Sequence, residues 1–383
     1  MERCPSIYQI AFASLKGISV ETANEIIATV GSEEDFFRIS GKDLQRLSGA
    51  NSKIFDESYR AGLLENARHE QEFIASKRIT AFYFTDKDYP ARLLNAPDAP
   101  LLLYSAGNCD LNAAKIVSVV GTRHATAYGA EQCRNLISGL KEQTGDNVVI
   151  VSGLAYGIDV TAHHAALEYG LPTVAVVAHG LNMIYPAQHR QTAADIIKNG
   201  GAIVTEYPSG TRIHRSNFLS RNRIIAALAD CTVVVESAKK GGALVTANIA
   251  SSYGRDVFAY PGRVSDEYSE GCNNLITKNV AALITSADDL ISLMCWEKRK
   301  DKPVQQQLFV ELTAEEETVC DLLSGRDFMT INELGATTRM PVHKLLSILV
   351  DMEFRGIVQS LPGNRYKLLH AAANLELFNQ HFF

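Results

Sequence analysis

Ile116-Val117-Ser118-Val119-Val120-Gly121, continuing through Thr122-Arg123-His124-Ala125-Thr126, decides how the chain is read. The first part is a nearly unbroken apolar run, as a strand buried on both faces requires. Gly121 allows a tight turn and Thr126 is a natural N-cap. Beyond it Cys133, Leu136, Ile137 and Leu140 recur at i, i+3, i+4 and i+7, one apolar helical stripe. The alternation repeats with ITAFYF (79–84), NVVIVSG (147–153), TVAVVAHG (173–180), AIVTEY (202–207), CTVVVES (231–237), DVFAYPG (256–262) and AALITS (281–286). Strands separated by helices imply right-handed crossovers. Residues 79–295 are therefore expected to form an α/β, Rossmann-like, doubly wound and mostly parallel sheet.

Outward from this block the pattern changes. Residues 1–78 are helical in pattern, and Leu15-Lys16-Gly17-Ile18-Ser19 reads as a glycine turn between two helices, as in a SAM or helix-hairpin-helix domain. With Lys16 the only nearby cation, a plain bundle turn is favoured over a phosphate-binding one. Residues 296–310 (WEKRKDKPVQQQLFV) lose periodicity and are broken by Pro303, which reads as a linker. In 311–370, helices over Ala314–Leu323, Ile331–Thr337 and Val342–Phe354 precede Gly356, the run Ile357–Ser360, a Pro362-Gly363-Asn364 turn and the run Arg365–Leu368. That is a winged-helix order. Residues 371–383 are left as a tail.

Composition narrows the classes. The chain has 383 residues, 46% of them hydrophobic, and a mean hydropathy of −0.03, values of a globular protein. No apolar run approaches the ~20 residues of a membrane helix. The start, MERCPSIYQIAF, lacks a basic-then-apolar signal design, so a cytoplasmic location is expected. Seven cysteines without a C-x-x-C pair read as reduced, mostly buried thiols. The net charge of −6 argues against a basic coat, so an anion site must be local. The winged-helix block has 6 basic and 9 acidic residues, and its third helix sets His343, Lys344 and Arg355 against Asp351 and Glu353. A protein contact is favoured there over DNA-groove binding.

Four loops at strand C-termini carry the candidate chemistry, since ligands of open parallel sheets bind there. Gly121-Thr122-Arg123 leads into a helix whose N-terminus and Arg123 favour an anion. Ser152-Gly153-Leu154-Ala155-Tyr156-Gly157-Ile158-Asp159 bends at two glycines, with Asp159 as a candidate helix cap. Asp159 and His163 lack a third ligand, so no metal site is expected. From Arg212 to Arg223 there are four arginines, and no Asp or Glu occurs from Tyr207 to Ala229. Ser220 reads as an N-cap, which would put Arg221 and Arg223 in a helix first turn, against the dipole. An outside anion would resolve that conflict, and Phe218 offers a stacking face. Ion pairs with distant acids such as Asp230 or Glu236 are the bland alternative. In Lys239-Lys240-Gly241-Gly242-Ala243-Leu244-Val245-Thr246, glycines again open a helix after a strand. The loops together describe a groove suited to a polyanion, and no P-loop, nucleophile elbow, zinc-protease or dinucleotide motif is present.

With VGTR (120–123), SGLAYGID (152–159), AHGLNMIYPAQHR (178–190), TEYPSG (205–210), FLSRNRIIAALAD (218–230), GGALVTA (241–247), YPGRV (260–264) and GCNNLI (271–276), the chain resembles the DprA (Smf) family of DNA-processing proteins. The resemblance runs from about Tyr89-Pro90 to Leu290. It implies single-stranded DNA binding in the cytoplasm during natural transformation, a homodimer formed through the Rossmann-like domain, and loading of the RecA recombinase. It implies neither catalysis nor a cofactor. It also implies DNA contacts at Gly121, Thr122, Arg123, Arg215, Phe218, Arg221, Asn222 and Arg223, with Gly241 and Gly242 at the fourth loop. Three departures stand out: Arg215 replaces the family's frequent Lys, Leu219 its frequent Pro, and Gly241-Gly242-Ala243 its S-G-S. Arg215 keeps the charge and adds bidentate geometry. The alternative reading is a nucleotide-processing enzyme acting on nucleoside monophosphates, although the P-G-G-x-G-T-x-x-E segment of such relatives is missing. A duplex-groove regulator using the winged helix is a third.

Overall fold

The computed structural model describes residues 4–48, 52–297, 312–324, 326, 328–355, 357–361 and 363–368. The expected linker from 298 to 310, the tail 371–383, Gly356 and Pro362 lie outside the described residues. Two compact units divide between Lys300 and Asp301.

The first unit starts with α1 (Ile7–Ala13), α2 (Val20–Val30), α3 (Glu33–Arg38), α4 (Gly41–Ser48) and α5 (Glu57–Lys77). Gly17 makes the α1–α2 turn at φ +76°, and Ser19 caps α2 by accepting from the Thr22 N–H. These helices do not stand apart as a separate body. Their Ile10, Phe12, Phe36 and Ile74 share one apolar cluster with Ala81, Tyr83 and Leu103 of the sheet.

That sheet has nine strands: β1 (Thr80–Tyr83), β2 (Leu102–Gly107), β3 (Ile116–Val120), β4 (Val149–Ser152), β5 (Thr173–Val176), β6 (Ala202–Thr205), β7 (Cys231–Val234), β8 (Asp256–Ala259) and β9 (Ala282–Leu283). Their spatial order is β1-β2-β6-β5-β4-β3-β7-β8-β9. From β6 to β9 across that order all neighbours are parallel, while β2 is antiparallel to both β1 and β6. Strand β2 is an addition to the sequence reading. Inner strands alternate between faces, as their period of two requires: Ile116 and Val120 point into one apolar cluster, Val117 and Val119 into the other.

The connecting helices are α6 (Ala91–Leu94), α7 (Ala127–Thr144), α8 (Ile158–Glu168), α9 (Arg190–Lys198), α10 (Arg215–Leu228), α11 (Gly242–Ser252), α12 (Glu270–Thr277) and α13 (Ala287–Leu293). From β3 the chain winds outward through β4, β5 and β6, then returns to β7 on the other side of β3. Winding reverses at that point, which opens a crevice beyond the C-terminal ends of β3 and β7.

The second unit is a winged helix of α14 (Ala314–Leu323), α15 (Ile331–Thr338) and α16 (Val342–Phe354). Its sheet has the order β10-β12-β11, with β10 (Met329–Thr330), β11 (Val358–Leu361) and β12 (Arg365–Leu368). The short β10 is a further strand the sequence reading lacks. All seven cysteines are free, but only Cys133, Cys231 and Cys272 are buried, fewer than expected. No helix among the described residues is long and apolar enough to cross a membrane.

Candidate nucleic-acid interface

The crevice is an open groove of about 790 Å³, walled by the loop after β3, the first half of α10, and the loop from β7 into α11. Nine of the ten expected residues line it: Gly121, Thr122, Arg123, Arg215, Phe218, Arg221, Asn222, Gly241 and Gly242. Arg223 does not.

Each wall has a local cause. A Cβ on Gly121 would lie 2.4 Å from Ile158 Cγ1, so this glycine serves the close packing of α8 rather than a turn. Gly157, at φ +75°, supplies the bend, and a Cβ there would meet the Thr122 carbonyl at 2.2 Å. Thr126 caps α7 as expected. Its amide (2.9 Å) and hydroxyl (2.7 Å) also donate to the buried Glu236 carboxylate. The Thr122 N–H donates to the Glu236 carbonyl at 2.7 Å. Glu236 thus fixes the Arg123 loop, a positioning role the sequence reading does not assign. An acid ending an otherwise apolar strand was its signal. Asp230, the other distant acid, pairs with Arg92 at 2.6 Å.

Helix α10 starts five residues before its expected N-cap Ser220. His214 caps it, accepting from the Ser216 N–H at 3.3 Å, and Arg215 is its first residue. The dipole conflict inferred for Arg221 and Arg223 therefore falls away, since both are inside the helix. They also point about 200° apart, at 100° per residue. Arg221 is only 4% exposed, and its Nη1 donates to the carbonyls of Gly153 (2.6 Å) and Val176. That nitrogen is held by backbone carbonyls, while the residue still lines the groove. Arg223 turns the other way, pairs with Glu206 and donates to the Asp98 carbonyl. Burial raises the Glu206 carboxyl above its ordinary range, against the pull of Arg223. Arg223→Ala leaves that acid largely buried and unpaired. It is expected to cost about 3 kcal/mol of stability in denaturant unfolding, with the salt dependence of ligand binding at the groove unchanged.

The cations that do face the groove are Arg123, Arg215 and Lys240, all exposed. Among the described residues none of them pairs with a carboxylate. Arg123 places its guanidinium 5.7 Å from the Phe218 ring centre, and the Tyr185 ring centre lies 5.8 Å from that of Phe218. Asn222 Nδ2 donates to the Gly242 carbonyl at 3.3 Å, tying α10 to the mouth of α11. Gly241 supplies no side-chain cap, so the first N–H groups of α11 remain available to an anion.

Asp159 lies buried in the first turn of α8, whose N-cap is Gly157. His163 Nδ1 sits 2.7 Å from Thr173 Oγ1, and burial pushes this imidazole down to about 3. Among the described residues no group of three or more His, Cys, Asp or Glu could hold a metal ion. In the winged helix, Lys344 pairs with Glu315, and Arg355 with Glu316 and Asp351. Val342, Leu346, Val350 and Phe354 are exposed along α16.

Fold and site define a Rossmann-like α/β protein with a cationic, aromatic groove at its switch point, followed by a winged helix. The sequence model described as DNA recombination-mediator protein A matches residues 80–295, and that of the DprA winged helix domain matches 305–364. The chain belongs to the DprA family of DNA recombination-mediator proteins. It is 38% identical to the DNA processing protein DprA of Streptococcus pneumoniae over 65% of this chain and 85% of that one. Against Protein Smf of Escherichia coli it is 34% identical, over 74% and 76%. The solved structure of the Streptococcus pneumoniae protein superposes with a TM-score of 0.62 at 31% identity, covering 76% of this chain and 98% of that one. DNA processing protein A of Helicobacter pylori, whose structure concerns its single-stranded DNA binding mode, gives a TM-score of 0.51 at 28% identity, over 57% and 96%.

Proposed function

We propose that the groove binds single-stranded DNA and that the protein acts on recombination by holding the strand, without chemistry on it. The observation that carries this reading is the meeting of three cations without a carboxylate partner among the described residues, an open helix N-terminus and the half-buried Phe218 in one open groove. Cations and helix N–H groups suit phosphates, while an accessible ring suits a base that has left its partner. Neither contact reads base edges, so sequence preference is weak. Strand protection, RecA loading during natural transformation, a cytoplasmic location and a homodimer through the sheet domain are proposed with it, and family membership supports them. The winged helix, with Lys344 and Arg355 paired and with Val342, Leu346, Val350 and Phe354 exposed, is proposed as a protein contact.

Fluorescence anisotropy with labelled oligo-dT and a duplex of equal length, across a salt series, tests this. Oligo-dT is expected to bind more tightly. With three phosphates neutralised at ~0.7 each, log K should fall against log salt with a slope of about −2. Equal or stronger duplex binding would move the interface to the winged helix. Binding to neither, with turnover of nucleoside monophosphates, would favour the enzyme reading.

A further inference from the structure

Two aromatic residues of the groove take no part in the contacts proposed above. Tyr268 and His124 line the same groove as Phe218, with ring centres 6.1 Å apart and planes tilted by 36°. His124 is the chain neighbour of Arg123. The two residues therefore lead to two aromatic surfaces, Arg123 to Phe218 and Tyr185, His124 to Tyr268. The segment bearing Tyr268 is firmly built. Asn273 clasps Gly262, donating to its carbonyl at 3.0 Å and accepting from its N–H at 3.2 Å. The Tyr128 hydroxyl donates to the Pro261 carbonyl at 2.6 Å, and the Tyr268 carbonyl itself accepts from the Ser237 N–H at 2.7 Å. On the other side the His124 N–H donates to Thr122 Oγ1 at 3.1 Å. Both rings thus stand on backbone held in place without a ligand.

Charge decides what such a shelf accepts. Glu267, exposed and lining the groove beside Tyr268, repels a phosphate there. An uncharged planar group meets no such penalty, and a ring face that is only half-buried stacks with it at little reorganisation cost. Resting on the proposed single-strand reading, we infer that Tyr268 and His124 form a second base-stacking subsite. A strand crossing the groove then lays one base on Phe218 and another on Tyr268, with its phosphates drawn to Arg123 between them.

The test uses the full chain and oligo-dT carrying one 2-aminopurine, moved position by position. Two positions should show stacking quench in the wild-type protein. Tyr268→Leu should abolish one of them and spare the other, lower affinity about tenfold, and leave the salt slope unchanged because no charge is lost. An abasic nucleotide at the Tyr268 position should cost about tenfold in the wild type and almost nothing in Tyr268→Leu. A variant damaged merely in its fold would lose both quenched positions and alter the slope, and would not show this non-additive cycle. If the wild type binds oligo-dT but only one position is quenched, or the abasic penalty persists in Tyr268→Leu, the second subsite is wrong while the single-strand reading stands. If the wild type does not bind oligo-dT, both fall.

Discussion

Replacing Arg123 and Arg215 together with alanine is expected to weaken oligo-dT binding at least a hundredfold and leave the thermal midpoint almost unmoved. The two halves of this expectation have separate causes. In the free protein both side chains are exposed and, among the described residues, neither pairs with a carboxylate. Arg215 opens α10, where a cation opposes the helix dipole, so its loss relieves roughly 0.3–1 kcal/mol. Arg123 gives up its contact with Phe218, worth about 0.5–1 kcal/mol at an exposed site. These nearly cancel. In the complex each arginine makes charge-assisted bonds to phosphate worth about 1.5–3 kcal/mol, so losing two removes about two or more decades of affinity. The salt slope should shrink from about −2 to about −0.7 as Lys240 alone remains. Unaltered affinity in a folded double variant would remove DNA from this groove altogether.

Why the groove was legible and α10 was not comes down to the range over which each signal acts. Gly121-Thr122-Arg123 and Gly241-Gly242 each follow an apolar strand, and the switch-point rule places such loops together whatever the rest of the chain does. The start of α10 depends on a weaker local contest. Ser220 is a better cap by residue type than His214, yet the His214 imidazole does the capping. Periodicity held the answer: Arg215, Phe218, Leu219 and Asn222 stand at i, i+3, i+4 and i+7, and all four line the groove. The same spacing puts Arg221 and Arg223 on different faces, so only Arg221 of the two lines the groove. Strand β2 was hidden for another reason. Leu102-Leu103-Tyr104 follows the Pro97–Pro100 stretch, and its place inside the sheet comes from pairing with β1 on one side and the sequence-distant β6 on the other. Likewise Glu206 and Asp98, which take up Arg223, sit 17 and 125 residues from it. Local charge counts cannot see partners brought in by the fold.

Arg221, the arginine turned inward, supports the largest expected loss of stability. Its Nη1 and Asp159 Oδ2 both crowd the bare Cα of Gly153, within 2.6 Å of where a Cβ would be. That explains the glycine and brings the two groups within about 5 Å of each other. Burial raises the Asp159 carboxyl above its ordinary range, and Arg221 is the strongest influence pulling it back. Arg221→Met keeps the apolar bulk and removes the cation. It orphans the Gly153 and Val176 carbonyls and takes from a buried acid the strongest of its compensating charges, a loss of about 3–5 kcal/mol. At about 2–4 °C per kcal/mol for a unit of this size, the thermal midpoint should fall by roughly 10 °C. The loss has a pH signature. Without Arg221 the folded-state value of Asp159 rises further above its unfolded value of 3.8. The folded state then binds the proton more tightly than the unfolded chain, so stability is greatest in acid and declines as pH rises through that widened window. The deficit of Arg221→Met against wild type should therefore be smaller at about pH 5 than at about pH 8 in denaturant unfolding. A deficit independent of pH would mean that Arg221 serves the two carbonyls alone and that Asp159 finds its compensation elsewhere.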